Sequence, residues 1–540
     1  MQPSELASDY YLHNFQRLVD SVEQHYLDLL NQNETDWLKA FRQLSPSARM
    51  LYVRLLSRKG LYYRKDKLHY PEIGELTQPA RELAKAGFIE INNPDWCTEH
   101  IAPLFTKPEL LTLFPALNKH KSTHKAALLE KLYQLSPKLE EFGQTIFYIC
   151  HQQNLEIFLL LFFGNSHQDL SQFVLSDLGL HQFESYPVDK ETRLFQSREQ
   201  IESWLVLTSL ADDYWNAKEQ KNHDAIVNMV SNIPTRFEWP PLERKRQKLI
   251  NHVARDLERF GMQEEALTLF RQSELPPSRE RQIRILDKLG IQDEALTLTL
   301  KLKNTPLTEE ESEVALTLEK KLSRQLKRPF SPAEKTSFNE NHLVLPHTEQ
   351  RVELAVVDYY TEQGWTVFYL ENSLICGLFG LAFWDIIFSP IPGAFLNPYQ
   401  RSPRDMFTPE FRTQRSEMIA ERLEHISSGS WCNWLEIYNQ KEGLSNDWVN
   451  WHSLSKDIIE LTVNSIPYST LSHLFERMLF DPRNNRSGFP DLIMFKNNQY
   501  QWVEVKGPGD KLQSNQARWL KMFNQSDIPA CIDFITWHKD

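Results

Sequence analysis

The chain has 540 residues, 41% of them hydrophobic, 12% aromatic and 24% charged, with a formal net charge of −12. At roughly 150 residues per domain, this length calls for three to four hydrophobic cores rather than one. The composition excludes a collagen-like or mostly disordered chain, and the acidic balance gives no whole-chain argument for nucleic acid, so charge has to be read locally. The longest apolar run, residues 157–163, falls well short of the roughly 18 residues a membrane span needs. The opening MQPSELASDYYLHNFQ lacks the cationic start and apolar stretch of a secretory signal. Cys97, Cys150, Cys376, Cys432 and Cys531 are far apart and form no CxxC pair, which predicts free thiols in a reducing cytosol rather than a zinc site or disulfides.

In chain order, residues 1–100 predict helices and then a winged-helix arrangement. Ser45-Pro46-Ser47-Ala48 caps and starts a helix through Leu51, Leu55 and Leu56. A basic aromatic segment follows, then a short helix over 76–86 stopped by Gly87, then the alternating Phe88-Ile89-Glu90-Ile91. Between Arg54 and Glu82, seven basic residues stand against four acidic ones. With Tyr62 and Tyr63 beside them, Arg58, Lys59, Arg64, Lys65 and Lys67 are candidate phosphate contacts, the alternative being a solvated helix face. Residues 101–150 predict a further helical module. Leucines at 110, 113 and 117, then at 128, 129 and 132, make two apolar stripes, and Lys119, Lys121 and Lys125 crowd the connection. This resembles a SAP-type two-helix DNA-binding module.

Residues 151–335 predict a helical middle region. Within it, Arg259-Phe260-Gly261-Met262-Gln263-Glu264-Glu265-Ala266-Leu267 recurs as Lys288-Leu289-Gly290-Ile291-Gln292-Asp293-Glu294-Ala295-Leu296, with the glycines 29 residues apart. A helix ending at Gly, then a helix led by acidic residues, is the logic of a tetratricopeptide-like solenoid over about 245–325. The polar segment 328–335 reads as a linker, and from 345 to 540 strand-like and helical segments alternate, predicting an α/β domain.

The most informative stretch runs from Arg483 to Asp510. Asn497-Asn498 separates two apolar and aromatic runs, which predicts a hairpin. Side chains alternate faces on a strand, so Tyr500, Trp502, Glu504 and Lys506 share one face. Asp491, at the start of the partner strand, approaches Glu504 and Lys506 across the hairpin. Two carboxylates held together repel unless one protonates or a cation joins them. Carboxylate and carbonyl oxygens suit Mg²⁺ or Mn²⁺ better than zinc. Such a cation polarises a phosphate and makes hydroxide from bound water. Lys506 can orient that water or offset transition-state charge, and the Val505 carbonyl is a plausible further ligand.

Pro490-Asp491 followed, 13 residues after Asp491, by Glu504-Val505-Lys506 matches the PD-(D/E)xK nuclease pattern. With Arg486-Ser487-Gly488-Phe489 before it, and Gly507-Pro508, Asp510-Lys511-Leu512, Gln516 and Trp519 after it, the stretch resembles a VRR-NUC domain. Tyr369-Leu370-Glu371-Asn372-Ser373, with Gly380-Leu381-Ala382-Phe383-Trp384-Asp385-Ile386-Ile387-Phe388, resembles the helix preceding the motif in Fanconi anaemia-associated nucleases, and Phe173-Val174-Leu175-Ser176-Asp177-Leu178-Gly179 resembles their middle region. The chain is similar to a bacterial-type member, because no Cys/His cluster supplies the ubiquitin-binding zinc finger of the animal proteins. The resemblance implies structure-selective cleavage of 5′-flap DNA and 5′→3′ exonuclease action in interstrand crosslink repair. It also implies Mg²⁺ or Mn²⁺ dependence and a cytoplasmic enzyme that meets branched or flapped DNA at the nucleoid. Glu371, Asp491, Glu504 and the Val505 carbonyl then become metal ligands, Lys506 the catalytic lysine and Gln516 a supporting residue. Arg483, Arg486 and Lys511 become phosphate contacts. Asn515 stands where the animal proteins carry a lysine implicated in holding a 5′ phosphate, so that pocket is expected to be built differently.

The expected whole is a multidomain α plus α/β protein: winged-helix, SAP-like and tetratricopeptide-like helical regions followed by a restriction-endonuclease-like domain. Two other readings compete with the flap nuclease. One is a resolvase-like enzyme acting on four-way junctions, the other a DNA-binding scaffold with a dead nuclease fold. Glu371 carries its own pair of readings. The dense apolar helix after it predicts a buried third carboxylate at the metal, whereas the bland alternative is a charge favouring that helix's positive end.

Overall fold

The computed structural model describes residues 7–165, 182–330 and 337–538. The segment 173–179 singled out above, and residues 331–335 of the linker, lie outside the described residues. The chain divides into two compact units, Met1–Gln196 with Phe395–Gln400, and Ser197–Ala394 with Arg401–Asp540. No described helix is long and apolar enough to cross a membrane.

The first unit begins with three helices, Tyr10–Tyr26, Gln32–Gln43 and Pro46–Leu56. Asn31 and Glu34 close a capping box at the second, and Ser45 caps the third. Their apolar faces meet in an aromatic core in which Trp37 lies beside Phe41, Tyr52, Phe88 and Phe158. The wing is a three-stranded antiparallel sheet of β1 (Tyr62–Arg64), β2 (Ile89–Ile91) and β3 (Ile146–Ile149), in the order β1-β3-β2. Its central strand is the one that comes last in sequence. The helices Lys107–Leu113 and Lys125–Tyr133 are therefore an excursion between two strands of one sheet, with their own core around Leu110, Leu117, Leu128 and Phe142. The run at 157–163 ends a buried helix, Gln152–Phe163.

The second unit starts with antiparallel helix pairs. The sequence repeat forms Pro240–Arg259 with Gln263–Phe270, and Ser278–Lys288 with Gln292–Asn304, followed by Glu309–Gln325. Gly261 and Gly290 both take positive φ, +89° and +81°, at the turns. An earlier pair, Arg198–Glu219 with His223–Met229, turns in the same way through Lys221 at φ +55°. All three turns share one closing bond, Asn222 N–H to Ala217 O, Met262 N–H to Leu257 O and Ile291 N–H to Leu286 O. The first copy escapes the sequence pattern because lysine occupies its left-handed position.

Beyond the repeats lies a mixed sheet in the order β4-β8-β7-β6-β5, made of Glu340–Leu345, Thr366–Tyr369, Leu492–Lys496, Gln499–Lys506 and Ala530–Trp537 as β4 to β8. The β6–β7 hairpin turns at Asn497 and Asn498, both at positive φ, 53° and 60°, as a two-residue turn matched to strand twist demands. β7 and β8 run parallel, linked by the helix Ser514–Gln525. β5 pairs with β6 even though a large helical insertion separates them in sequence. The helix Ser373–Ala382 opens that insertion and is buried from Leu374 to its end.

Candidate active site

Strand alternation delivers the motif as predicted. Val503 and Val505 enter the apolar core with Leu492, Met494 and Val356, while Glu504 and Lys506 project to the other face. Asp491 sits just before β6 and reaches across the hairpin, where its Oδ2 accepts the Val505 N–H at 2.9 Å. Glu504 is wholly buried, at 0% exposure. Its Oε1 forms an ion pair with Lys506 Nζ at 2.7 Å that is off the hydrogen-bond line, and Oε2 has no hydrogen-bond partner. Lys506 also donates to Gln516 Oε1 at 3.1 Å, and that same oxygen accepts the Gln513 N–H at the start of the following helix.

The segment leading to Asp491 is pinned from both sides. Gly488 has φ +94°, and a Cβ there would stand 2.7 Å from the Asn515 backbone carbon, so only glycine permits the approach. Trp519 donates to Ser487 O, and Phe489 stacks on Trp519 at 4.0 Å. Upstream, buried Asp481 accepts the Glu309 N–H, Asn485 donates to Glu309, and Arg518 holds Glu313 through two bonds of 2.6 and 2.9 Å. The last repeat helix thus clasps both the motif segment and the helix carrying Gln516.

Burial pushes the Asp491 carboxyl up to about 6 against the help of the Val505 N–H and Lys506, and the charges of Glu353 and Glu371 add to the rise. Burial, and then the charge of Asp491, push Glu504 up to about 8. Glu353 was not singled out in the sequence. It lies in the first turn of the helix Val352–Glu362, whose start meets the motif where a Cβ on Gly507 would be 3.6 Å from Val352. An acidic residue opening the helix before β5 was the available signal.

Glu371 needs correction. It is exposed rather than buried, at φ +45°, two residues before the helix begins, and its Oε1 accepts the Tyr369 hydroxyl at 2.6 Å. Its backbone N–H, and that of Leu370, donate to Asp491 O at 3.1 and 3.2 Å, and Asn372 Oδ1 accepts the Phe489 N–H. The turn is therefore fastened to the motif, while its carboxylate is exposed and held by Tyr369, close enough for its charge to act on Asp491 and Glu504. Accordingly, among the described residues no three His, Cys, Asp or Glu side chains are drawn together as a ready-made metal cluster. The pair Asp491 and Glu504 fits a divalent cation nonetheless. A wholly buried carboxylate with an unpartnered oxygen beside a second carboxylate lacks positive charge that one lysine does not supply.

The candidate phosphate contacts divide. Arg58, Lys59, Lys119, Lys121, Arg483 and Lys511 are exposed. Lys65 pairs with Glu75, Lys67 with Glu109, and Lys125 donates to Pro103 O. Arg64 is a second correction. It is buried, held by Asp66 and Glu109, with its guanidinium 4.1 Å from the Phe105 ring centroid, and so it braces the wing. Arg486 is half-buried over Phe407 and Trp448 and donates to Asp447 O.

Comparison with known proteins gives the family. The model described as FAN1, HTH domain matches residues 9–90, and the VRR-NUC domain model matches 431–532, a span that includes Asp491, Glu504, Lys506 and Gln516 but not Glu371. The Fanconi-associated nuclease 1 homolog of Pseudomonas aeruginosa is 32% identical over 98% of this chain and 96% of its own length. The human Fanconi-associated nuclease 1 is 25% identical over 97% of this chain and 62% of its own length. A crystal structure of paFAN1 bound to DNA with a 2-nucleotide 5′ flap and a gap matches with a TM-score of 0.84 at 32% identity, covering all of both chains. On this likeness, together with a PD-(D/E)xK hairpin whose buried acidic pair calls for a divalent metal, the chain belongs to the Fanconi-associated nuclease 1 family.

Proposed function

We propose that the chain is a 5′-flap endonuclease and 5′→3′ exonuclease using Mg²⁺ or Mn²⁺ in interstrand crosslink repair. The observation that carries this reading is the Glu504 carboxylate, buried and short of a partner, beside Asp491 and Lys506. Asp491, Glu504 and the Val505 carbonyl would hold the cation, with Glu371 completing the set when its side chain leaves Tyr369. When bound, the cation supplies an activated water and a polarised phosphate. Lys506, held by Glu504 and Gln516, keeps its ammonium fixed where charge develops on the phosphoryl oxygens. Burial of the pair excludes competing water and strengthens each of these interactions. The structures of paFAN1 with 5′-flap DNA support flapped DNA as the substrate class.

The test is cleavage of end-labelled 5′-flap, four-way-junction and blunt duplex DNA in Mg²⁺, Mn²⁺, Ca²⁺ or EDTA. Cutting beside the flap in Mg²⁺ or Mn²⁺ alone is expected. Ca²⁺, with its looser coordination, should support binding without turnover. Junction cleavage without flap cleavage would instead support a resolvase, and no cleavage in either metal a scaffold.

A further inference from the structure

The last repeat helix, Glu309–Gln325, turns its N-terminal end toward the nuclease motif, with Glu309 and Glu313 one turn apart on one face. Glu309 is buried, and its Oε1 accepts the Asn485 Nδ2–H at 3.0 Å and pairs with Arg477 at 2.9 Å. Asp481, also buried, caps two helices at once: its Oδ2 accepts the Glu309 N–H at 3.0 Å and its Oδ1 the Asn484 N–H at 3.3 Å. Glu313 holds Arg518 through two bonds of 2.6 and 2.9 Å. These contacts fall on the two segments that aim the site. From Asn485 the chain runs through residues 486–491 without helix or strand and ends at Asp491. Two residues before Arg518, on the same helix, stands Gln516, which accepts a hydrogen bond from the Lys506 ammonium.

The ladders of β7 fix Glu504 and Lys506, whereas Asp491 lies one residue outside the β6 ladder. Asp491 and Glu504 repel when both are charged. A strap loose at its far end would relieve that repulsion by drawing Asp491 away, and an arriving cation would then have to reorder it. An anchored strap spares that reorganisation, because the ligands already stand where the cation needs them. We infer that Glu309 and Glu313 are positioning residues for cleavage, through which the last repeat helix anchors the segments that hold Asp491 and Lys506 at the cation. The repeat region is then part of the working site rather than a neighbour of it. The inference rests on the flap-nuclease reading for the reaction served, though not for the anchoring.

The test compares the full chain with Glu309→Ala, Glu313→Gln, Arg518→Gln and the double variant Glu313→Gln with Arg518→Gln. Four quantities are read: single-turnover cleavage of end-labelled 5′-flap DNA in Mn²⁺, Mn²⁺ binding without DNA by electron paramagnetic resonance, flap binding in Ca²⁺, and Tm. Each variant is expected to weaken Mn²⁺ binding and to slow cleavage about tenfold at saturating DNA, with the Kd for the flap unchanged. The double variant should lose no more than either single one, because all three remove the same contact. Glu313 is half-exposed, so breaking its pair with Arg518 should leave Tm nearly unchanged, and these variants decide the matter where Glu309→Ala melts early. Normal Mn²⁺ binding and a normal rate in them overturn the inference and leave the nuclease reading standing. Slower cleavage that follows weaker flap binding, with normal Mn²⁺ binding, gives the helix to DNA and overturns it. Loss of Tm in every variant assigns the carboxylates to stability and overturns it too. Weaker Mn²⁺ binding in the variants, when the unaltered chain cleaves no DNA, upholds the anchoring and overturns the nuclease reading.

Discussion

Cations in the wing and cations at the nuclease hairpin are held in opposite ways. In the wing, buried Arg64 lies between Asp66 and Glu109, and Lys67 shares Glu109, so positive and negative groups close on one another. At the hairpin, Lys506 is the buried cation beside Asp491 and Glu504, the charge of Glu353 adds to the rise at Asp491, and one Glu504 oxygen finds no partner. The balance of charge is the same in the two stretches, seven basic residues against four acidic ones in each of 54–82 and 481–521. What separates a brace from a site is whether the charges are satisfied by the fold alone.

The largest effect should come from breaking the unsatisfied set. Asp491→Ala, Glu504→Ala and Lys506→Ala are each expected to lower cleavage by at least about a thousandfold, roughly 4 kcal/mol of barrier, while flap binding in Ca²⁺ persists. Near-normal turnover in any one of them removes that residue from the chemistry.

The same set predicts a pH signature without metal. Glu504 and Asp491 have folded pKa values raised above the ordinary carboxylate range. A raised carboxylate contributes stability that is full below its unfolded pKa and is lost as pH rises through the folded one. Metal-free protein should therefore lose Tm between about pH 4.5 and 8, and Mg²⁺ should restore it at pH 8. Glu504→Gln should flatten the profile, by roughly 2–4 °C for each kcal/mol relieved. A profile unchanged by this substitution would show that the buried charge is compensated.

The wing should respond in the reverse sense. Arg64→Ala is expected to cost about 2–3 kcal/mol of stability in thermal melts, because two carboxylates and the Phe105 face lose their partner, with the salt slope of DNA binding unchanged. Glu371→Gln should slow cleavage about tenfold, near 1.4 kcal/mol, and raise the Mg²⁺ needed for half-maximal rate. Being exposed, it should leave Tm within about 0.5 kcal/mol of stability, and normal metal dependence would return it to a mere turn residue. The smallest effect is expected from Arg58→Ala and Lys59→Ala, each reducing the salt slope by about 1 with Tm unchanged.

Legibility in the sequence followed the range of the interaction that decides each feature. The hairpin, the shared face of Glu504 and Lys506 and the glycine-stopped repeats depend on period and turn chemistry within a few residues, and the sequence carried them. The wing's central strand at 146–149 was missed because its partners lie more than 50 residues upstream. The repeat turn at Lys221 was missed because its hydrogen bonds, not its residue type, make it equivalent to the glycine turns. Arg64 and Glu371 were misjudged because exposure is decided by groups brought from elsewhere in the chain. Glu353 stayed invisible because its charge matters only once its helix stands against the motif.

The pairing of β5 with β6 has a kinetic side. Tyr369 and Leu492 are neighbours in the ladder although about 120 residues separate them, and β6 in turn carries β7 and, through it, β8. The sheet cannot zip outward from β5 until that whole stretch has been drawn into a loop, an entropic demand that grows only with the logarithm of its length. The helices of the insertion make local contacts and form early, which shortens the effective loop before closure. The acidic pair at 491 and 504 belongs to a local hairpin, so what waits for that closure is its fastening to the turn at 370–372, through the bonds to Asp491 O and from Phe489 N–H to Asn372. A chain emerging N-terminus first holds its repeats and insertion helices folded before it owns a functioning metal site.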